Sequence, residues 1–134
     1  MSGEQFEISV GNLDLSFIAE NDLSAQQYGI VEMSAEDQVD LSDGAADDIV
    51  GILQNKPIAG QRAIVRVFGV SRLRANAAGL AVGAAWGTDG AGRGIAKVAN
   101  KDIIGGYVLV AAGATADEIA TVTVNCLSRV QLNV

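Results

Sequence analysis

Few side chains in this sequence belong to the types that perform nucleophilic, acid–base or metal chemistry. The 134 residues include no histidine and a single cysteine, Cys126. A thiol needs a nearby base or positive group to become a nucleophile, so Cys126, in a strand-like context, is interpreted as a small buried hydrophobic residue. The sequence therefore predicts a protein that is not an enzyme and has no cofactor. The enzymatic alternative is a small β-rich enzyme. Acids are numerous enough for hydrolysis by paired carboxylates, but no pattern brings two carboxyl groups into one apolar pocket.

Two segments have compositions found in binding sites. Residues 79–94 (GLAVGAAWGTDGAGRG) are rich in glycine, as phosphate-binding loops are, but they lack the Gly-Lys-Ser/Thr ending and lead into a strand-like run. They are interpreted as tight hairpins, with Trp86 packed against the body of the domain or between subunits. Residues 37–48 (DQVDLSDGAADD) are acidic but lack the oxygen-ligand spacing of a calcium loop, so no metal site is predicted.

The elements that carry these residues are predicted to be mainly β. Short runs of β-branched and apolar residues recur along the chain, and glycine-containing turns separate them. The predicted strands cover residues 28–33, 49–54, 62–68, 94–98, 103–111, 119–124 and 127–134. At most one or two short helices fit, around residues 23–27 or 71–78. This pattern predicts a small β-barrel or sandwich with glycine-rich turns.

The first 21 residues differ from the rest of the chain. Phe6, Ile8 and Val10 alternate with polar residues, and a second alternating run contains Leu13, Leu15 and Phe17. Gly11 and Asn12 separate the two runs. We therefore divide the chain into residues 1–21, which form an N-terminal arm or edge strands, and residues 22–134, which form a single β-rich domain.

Charge is distributed unevenly along the chain. Residues 1–50 hold twelve acids and no lysine or arginine, whereas residues 51–134 hold all nine bases and four acids, and the net charge is −7. The acidic half can be a solvated surface, or it can pair with the basic half of another copy or with a basic partner. The acidic balance and few aromatic residues disfavour nucleic acid as a partner.

No membrane partner is expected either, since no apolar stretch approaches the roughly 20 residues that span a bilayer. The first ten residues lack the features of a signal peptide, and a single thiol suits a reducing cytoplasm. We therefore expect synthesis in a cytoplasm.

The order of several motifs resembles the capsid cement, or head decoration, proteins of tailed bacteriophages. The most specific part is residues 49–71, in which a loop (IVGILQNKPIAG, residues 49–60) leads into a strand (VRVFGVS, residues 65–71). The resemblance covers residues 22–124 and also includes these segments: DLSAQQY at 22–28, AAWGTDG at 84–90 and IIGGYVL at 103–109.

This resemblance implies a structural virion protein that is made in the host cytoplasm. Such a protein would bind the outside of an expanded capsid, commonly as a homotrimer, and stabilise it against the pressure of packaged DNA. Its partners would be the major capsid protein lattice and further copies of itself. The alternative is a stand-alone β module that binds a carbohydrate or a cell-surface receptor, although its aromatic residues are few and scattered.

Two sets of residues are candidates for these contacts. The apolar residues of the N-terminal segment are the candidates for capsid contact: Phe6, Ile8, Val10, Leu13, Leu15 and Phe17. The candidates for the oligomer interface are Trp86 as an anchor and four arginines that can meet acids of residues 1–50 across a subunit boundary: Arg62, Arg66, Arg72 and Arg74.

Overall fold

The computed structural model describes residues 11–45 and 48–134, and it is almost entirely β. The described residues form eleven strands. In chain order these are β1 (Leu13–Ala19), β2 (Ile30–Ala35), β3 (Gln38–Leu41), β4 (Gly51–Leu53), β5 (Arg62–Arg74), β6 (Ala85–Thr88), β7 (Gly94–Ala96), β8 (Ile103–Ile104), β9 (Gly106–Val110), β10 (Ile119–Asn125) and β11 (Val130–Gln131).

Five strands close into a barrel in the order β1-β3-β2-β4-β5, and β5 pairs back with β1. Side chains alternate along each strand, so one side fills the barrel and the other faces outward. On β5, Ala63, Val65 and Val67 are buried inside the barrel. The other interior side chains come from the remaining strands and the loop after β1: Ala19, Leu23, Val31, Val39 and Leu53.

The 13-residue strand β5 extends beyond the barrel and begins a second sheet. Its second half pairs with β10 in an unbroken antiparallel register from Phe68↔Asn125 to Arg74↔Ile119. The sheet continues through β9 and β6 to β7. We use the name second sheet for β10, β9 and the part of β5 that extends beyond the barrel. Its buried side packs against Ile30 and Ile52 in a core separate from the barrel interior.

Trp86 lies within this second core. It is fully buried, and its indole Nε1 donates a hydrogen bond to the carbonyl oxygen of Thr123 at 2.9 Å. The ring lies against the backbone of Gly105, where an added Cβ would come within 2.1 Å of it. Glycine at this position lets the backbone approach the ring, so the fold depends on the pairing of Trp86 with Gly105.

The predicted fold class, a mainly β protein with a small barrel, is confirmed. The structure differs at the two helix candidates, because residues 23–27 form turns and Ser71–Arg74 continue β5. Two strands lie where the pattern predicted none. β3 lies inside the acidic segment. β6 lies inside the glycine-rich segment and forms a hairpin with β7, which occupies the predicted strand at residues 94–98. The interpretation of residues 79–94 as hairpins therefore agrees with the structure.

Within the N-terminal segment, Leu13–Ala19 form β1 and belong to the sheet of the domain itself. β1 pairs with β5 along most of its length and in parallel with β3 at its end. Residues 1–10 lie outside the described residues, so this part of the predicted arm has no structural account.

Candidate interaction surfaces

The side of the second sheet that faces away from the core carries large apolar side chains in solvent. We call this side the outer face. Its apolar members are between 41% and 57% exposed: Phe68, Val70, Tyr107, Val110 and Ile119. An apolar group of this kind on the surface of a β sheet is typical of a contact with another molecule.

Strand register brings these side chains together. Val70 on β5 lies opposite Thr123 on β10, and the hydroxyl of Thr123 accepts a hydrogen bond from the backbone N–H of Tyr107 at 2.9 Å. Thr121 lies opposite Val110. Residues that are directly opposite in a sheet project from the same side, so the apolar residues of three strands form one surface.

Arg72 lies on the outer face between Val70 and Arg74. Its guanidinium carbon lies 5.9 Å from the centre of the Tyr28 ring, a cation–π geometry. Among the described residues Arg72 has no carboxylate within ion-pair distance, whereas five other arginines do. Those pairs are Arg62–Asp37, Arg66–Asp14, Arg74–Asp117, Arg93–Asp117 and Arg129–Asp48.

The acidic and basic halves of the sequence therefore meet, in part, within one chain. Arg66 holds both carboxylate oxygens of Asp14, at 2.8 Å and 3.0 Å, in a bidentate pair between β5 and β1. Arg62 bonds Asp37 at 3.3 Å. Arg62 and Arg66 thus pair with acids of residues 1–50 in their own chain, and Arg74 pairs with Asp117. Arg72 is the interface candidate that has no ion pair among the described residues.

Asp117 lies beside the outer face and joins two arginines. Arg93 and Arg74 each bond the same carboxylate oxygen at 2.7 Å. The hydrogen bonds from Arg93 and then Arg74 lower the pKa of Asp117 to about 2. This cluster fixes Arg74 at the corner of the outer face.

Three acids occupy neighbouring positions in the strand register, on β2, on β3 and directly after β1. Asp40 on β3 is directly opposite Glu32 on β2, and the residue before Glu20, Ala19, is the parallel partner of Val39. Asp40 accepts a hydrogen bond from the side chain of Asn21 at 2.9 Å. This hydrogen bond connects β3 with the residues that follow β1.

The candidates for capsid contact fall into three groups. Leu13 and Leu15 are exposed on β1, where a neighbouring molecule can reach them. Phe17 packs against the barrel core and is largely withdrawn from the surface. The remaining three candidates lie outside the described residues: Phe6, Ile8 and Val10.

Trp86 requires a correction as an anchor between subunits. Its side chain is enclosed by the second core of its own chain, with no exposed surface to offer to another copy. The alternative in the sequence interpretation, that Trp86 packs against the body of its domain, agrees with this placement. Gly105 is the sequence feature that could have indicated this placement, because a glycine at this position leaves the space that the indole ring fills.

The one cysteine of the sequence, Cys126, is partly buried. Burial raises the pKa of the Cys126 thiol to about 12, which opposes formation of a thiolate near neutral pH. Cys126 lines a groove with Ile49, Ile103 and Leu127, beside the Asp48–Arg129 ion pair. No three histidine, cysteine or acidic residues in the described part of the chain are grouped to hold a metal ion. The described elements also include no helix that is long and apolar enough to cross a membrane.

Comparison with known proteins gives a structural match. No family model matches the chain, and no curated protein sequence matches it. A solved structure does: the N base of the head fiber gp8.5 of bacteriophage phi29 aligns with a TM-score of 0.64 at 13% sequence identity. The alignment covers 90% of this chain and 99% of that one. At this level of identity the match establishes a shared fold, with nearly the whole of each chain taking part.

Proposed function

We propose that this protein is a non-enzymatic structural component of a phage virion that binds the outer surface of an expanded capsid as a homotrimer and stabilises it. The observation that carries the proposal is the fold shared, over nearly its full length, with the base of a phage head fiber. The sequence resemblance to head decoration proteins, in residues 22–124, supports the same class independently.

The surface of the protein also supports binding rather than catalysis. The described residues present an exposed apolar outer face and exposed Leu13 and Leu15. They place no group of metal-ligating side chains together. The carbohydrate-binding alternative needs an aromatic platform. Trp86 is buried and Tyr28 lies partly covered beneath Arg72, so Phe68 and Tyr107 on the outer face are the exposed aromatic side chains that such a platform would have to use.

Stabilisation follows from mass action. A protein that binds only the expanded lattice stabilises that lattice by RT ln(1 + [L]/Kd) at each site, about 2.7 kcal/mol at a free concentration of 100 times Kd. Three linked copies raise the avidity further, because the second and third contacts form at high effective concentration. Many sites on one capsid make the total effect large.

Co-sedimentation with phage heads tests the proposal. The full chain is mixed with expanded heads, and with unexpanded procapsids, from a panel of tailed phages whose own decoration protein has been removed. We expect saturable binding to expanded heads in multiples of three copies, and higher resistance of those heads to heat. A protein that ignores every head and instead retains a glycan on an array would overturn the proposal in favour of the carbohydrate-binding alternative.

Substitutions at two exposed residues of β1 test the capsid contact, and an exposed residue elsewhere provides the control. Leu13→Ser and Leu15→Ser alter proposed capsid contacts on β1, and Ile58→Ser alters an exposed apolar residue in the loop between β4 and β5. Circular dichroism and thermal unfolding check that each variant folds, because Leu15 lies opposite the buried Val65 and its substitution can also lower stability. We expect the first two to weaken head binding at least tenfold and the third to leave it unchanged. Equal binding by all three would remove β1 from the proposed contact.

A further inference from the structure

The first described residues of the chain lie at the border of the outer face. Gly11 and Asn12 lie against Gly69 on β5, where an added Cβ would collide with Asn12 and come within 2.7 Å of the carbonyl oxygen of Gly11. The side chain of Asn12 accepts a hydrogen bond from the backbone N–H of Val70 at 3.0 Å. Residues 1–10, which precede the described part of the chain, are therefore joined to the domain beside Val70, an apolar member of the outer face.

The direction of the strands leads from this point along the outer face. β1 pairs antiparallel with β5, so the chain followed from β1 toward its N-terminus runs in the direction in which β5 extends beyond the barrel. In that direction lies a groove of about 250 Å³ that is lined by Arg72, Tyr28, Val70 and Thr121, among others. Ten extended residues reach about 33 Å, and three strands spaced about 4.8 Å apart make a face about 10 Å across. Residues 1–10 are thus long enough to cross the whole outer face.

We infer that residues 1–10 dock on the outer face of their own copy, with Phe6, Ile8 and Val10 against its apolar side chains. In an extended segment these three residues project from one side, and the polar residues that alternate with them project from the other. Such a segment covers an apolar surface with one side and presents polar groups to water with the other. The inference goes beyond the proposed function and does not depend on it.

The charges of the segment and of the outer face are complementary. Residues 1–10 contain two acids, Glu4 and Glu7, and no lysine or arginine. Arg72 lies among the apolar residues of the outer face with its guanidinium over the Tyr28 ring, and within the described part of the chain it has no ion pair. An acid of the segment can therefore approach Arg72 without breaking an existing ion pair.

The connection at Gly11 favours docking within one copy over docking on a neighbour. Nothing lies within 4 Å of a Cβ added at Gly11, so the chain has room to turn onto the outer face at this residue. A segment tethered beside its binding surface is present there at a high effective concentration. It therefore covers that surface in preference to the same segment of a second copy in dilute solution.

A disulfide experiment tests where the segment lies. All variants are full-length chains that carry Cys126→Ala, and circular dichroism checks that each one folds. One variant adds Ile8→Cys and Tyr107→Cys on the outer face, and the control adds Ile8→Cys and Leu15→Cys on β1, a position that is also within reach of residues 1–10. After mild oxidation we expect an intrachain disulfide that forms at least tenfold faster in the first variant than in the control. Equal rates in the two variants, or disulfide-linked dimers in place of monomers, would overturn the inference.

Proteolysis tests the same contact without added cysteines. Chymotrypsin cleaves after an accessible Phe6, and mass spectrometry of the intact protein follows the loss of residues 1–6. We expect Val70→Ser combined with Val110→Ser to speed this cleavage at least tenfold, because it weakens the apolar contact that protects the segment. Val98→Ser, at an exposed apolar residue after β7, should leave the rate unchanged. Cleavage as fast in the wild type as in the double variant would contradict docking on the outer face.

Discussion

The two sides of the second sheet show how differently one set of strands can be used. On β10, Ala120, Val122 and Val124 point inward and are buried, while on the same strand Ile119 is exposed. On β9, Val108 is buried between the exposed Tyr107 and Leu109. The inward residues follow from the need to bury apolar surface in a core.

The outward residues do not follow from folding. A β strand with one solvated side usually carries polar residues there, yet Phe68, Val70 and Val110 are apolar and exposed. Such a surface promotes aggregation unless another molecule or another segment of the chain covers it. We therefore predict that the inner face supports stability and the outer face supports association, and substitutions on both faces test that division.

The largest effect should come from removing the side chain that fills the second core. Trp86→Ala is expected to lower the free energy of unfolding by about 3–5 kcal/mol, since it leaves a cavity and an unsatisfied carbonyl at Thr123. Tyr107→Ala, an aromatic truncation on the outer face, should cost less than about 0.5 kcal/mol. Guanidinium unfolding measures both. Equal losses in the two variants would contradict the division between the faces.

The fit between Trp86 and its neighbour gives the next largest effect. Gly105→Ala places a Cβ within 2.1 Å of the indole ring, and the overpacking should cost about 3 kcal/mol. Gly11→Ala is the matched control, because nothing lies within 4 Å of the added atom. Thermal unfolding distinguishes them. If Gly105→Ala were as stable as the control, the second core would be loose around Trp86.

Sequence reasoning predicted local features of this fold well. The alternation of Ala63, Val65 and Val67 is a short-range pattern, and the burial of this side of β5 follows from it. The barrel class follows from many short strands separated by glycine turns. Strand β3 was not predicted because Val39 and Leu41 are its only apolar residues in an acidic segment.

Features that depend on distant pairing were not predictable in the same way. Ser71–Arg74 form a strand because β10, nearly fifty residues later, pairs with them. The burial of Trp86 depends on the absence of a side chain at Gly105, which lies between β8 and β9. Arg66 meets Asp14 across 52 residues of sequence, so composition predicted opposite charges but not that they pair within one chain. The outer face likewise exists only through the register of three strands.

A matched pair of valines on β5 tests the division on a single strand. Val65 is buried in the barrel and Val70 is exposed on the outer face. Val65→Ala should lower the free energy of unfolding by about 2 kcal/mol, through lost burial and a small cavity. Val70→Ala should cost less than about 0.5 kcal/mol. It should instead weaken the contact of the outer face with residues 1–10, which chymotrypsin cleavage measures. A stability loss at Val70 as large as at Val65 would mean that the outer face is part of the core.

The smallest effect should come from the charges at the edge of the outer face. Arg93 and Arg74 hold the pKa of Asp117 at about 2, below its ordinary value of 3.8. A carboxyl group with a lowered pKa in the folded chain stabilises the fold above its ordinary pKa, and that contribution is lost as the pH falls from about 4 through 2. The side chain is 45% exposed, so screening by solvent limits the contribution to less than about 1 kcal/mol.

Asp117→Asn isolates that contribution, because asparagine tolerates the positive φ of 70° at this position. The variant should be slightly less stable than the wild type at pH 7, and the two should converge near pH 2 in urea titrations. Asp43→Asn, at an exposed carboxylate with no ion pair in the described structure, should match the wild type throughout. A loss of several kcal/mol in Asp117→Asn would show that the arginine cluster supports the fold itself. The outer face would then contribute to stability as well as to association.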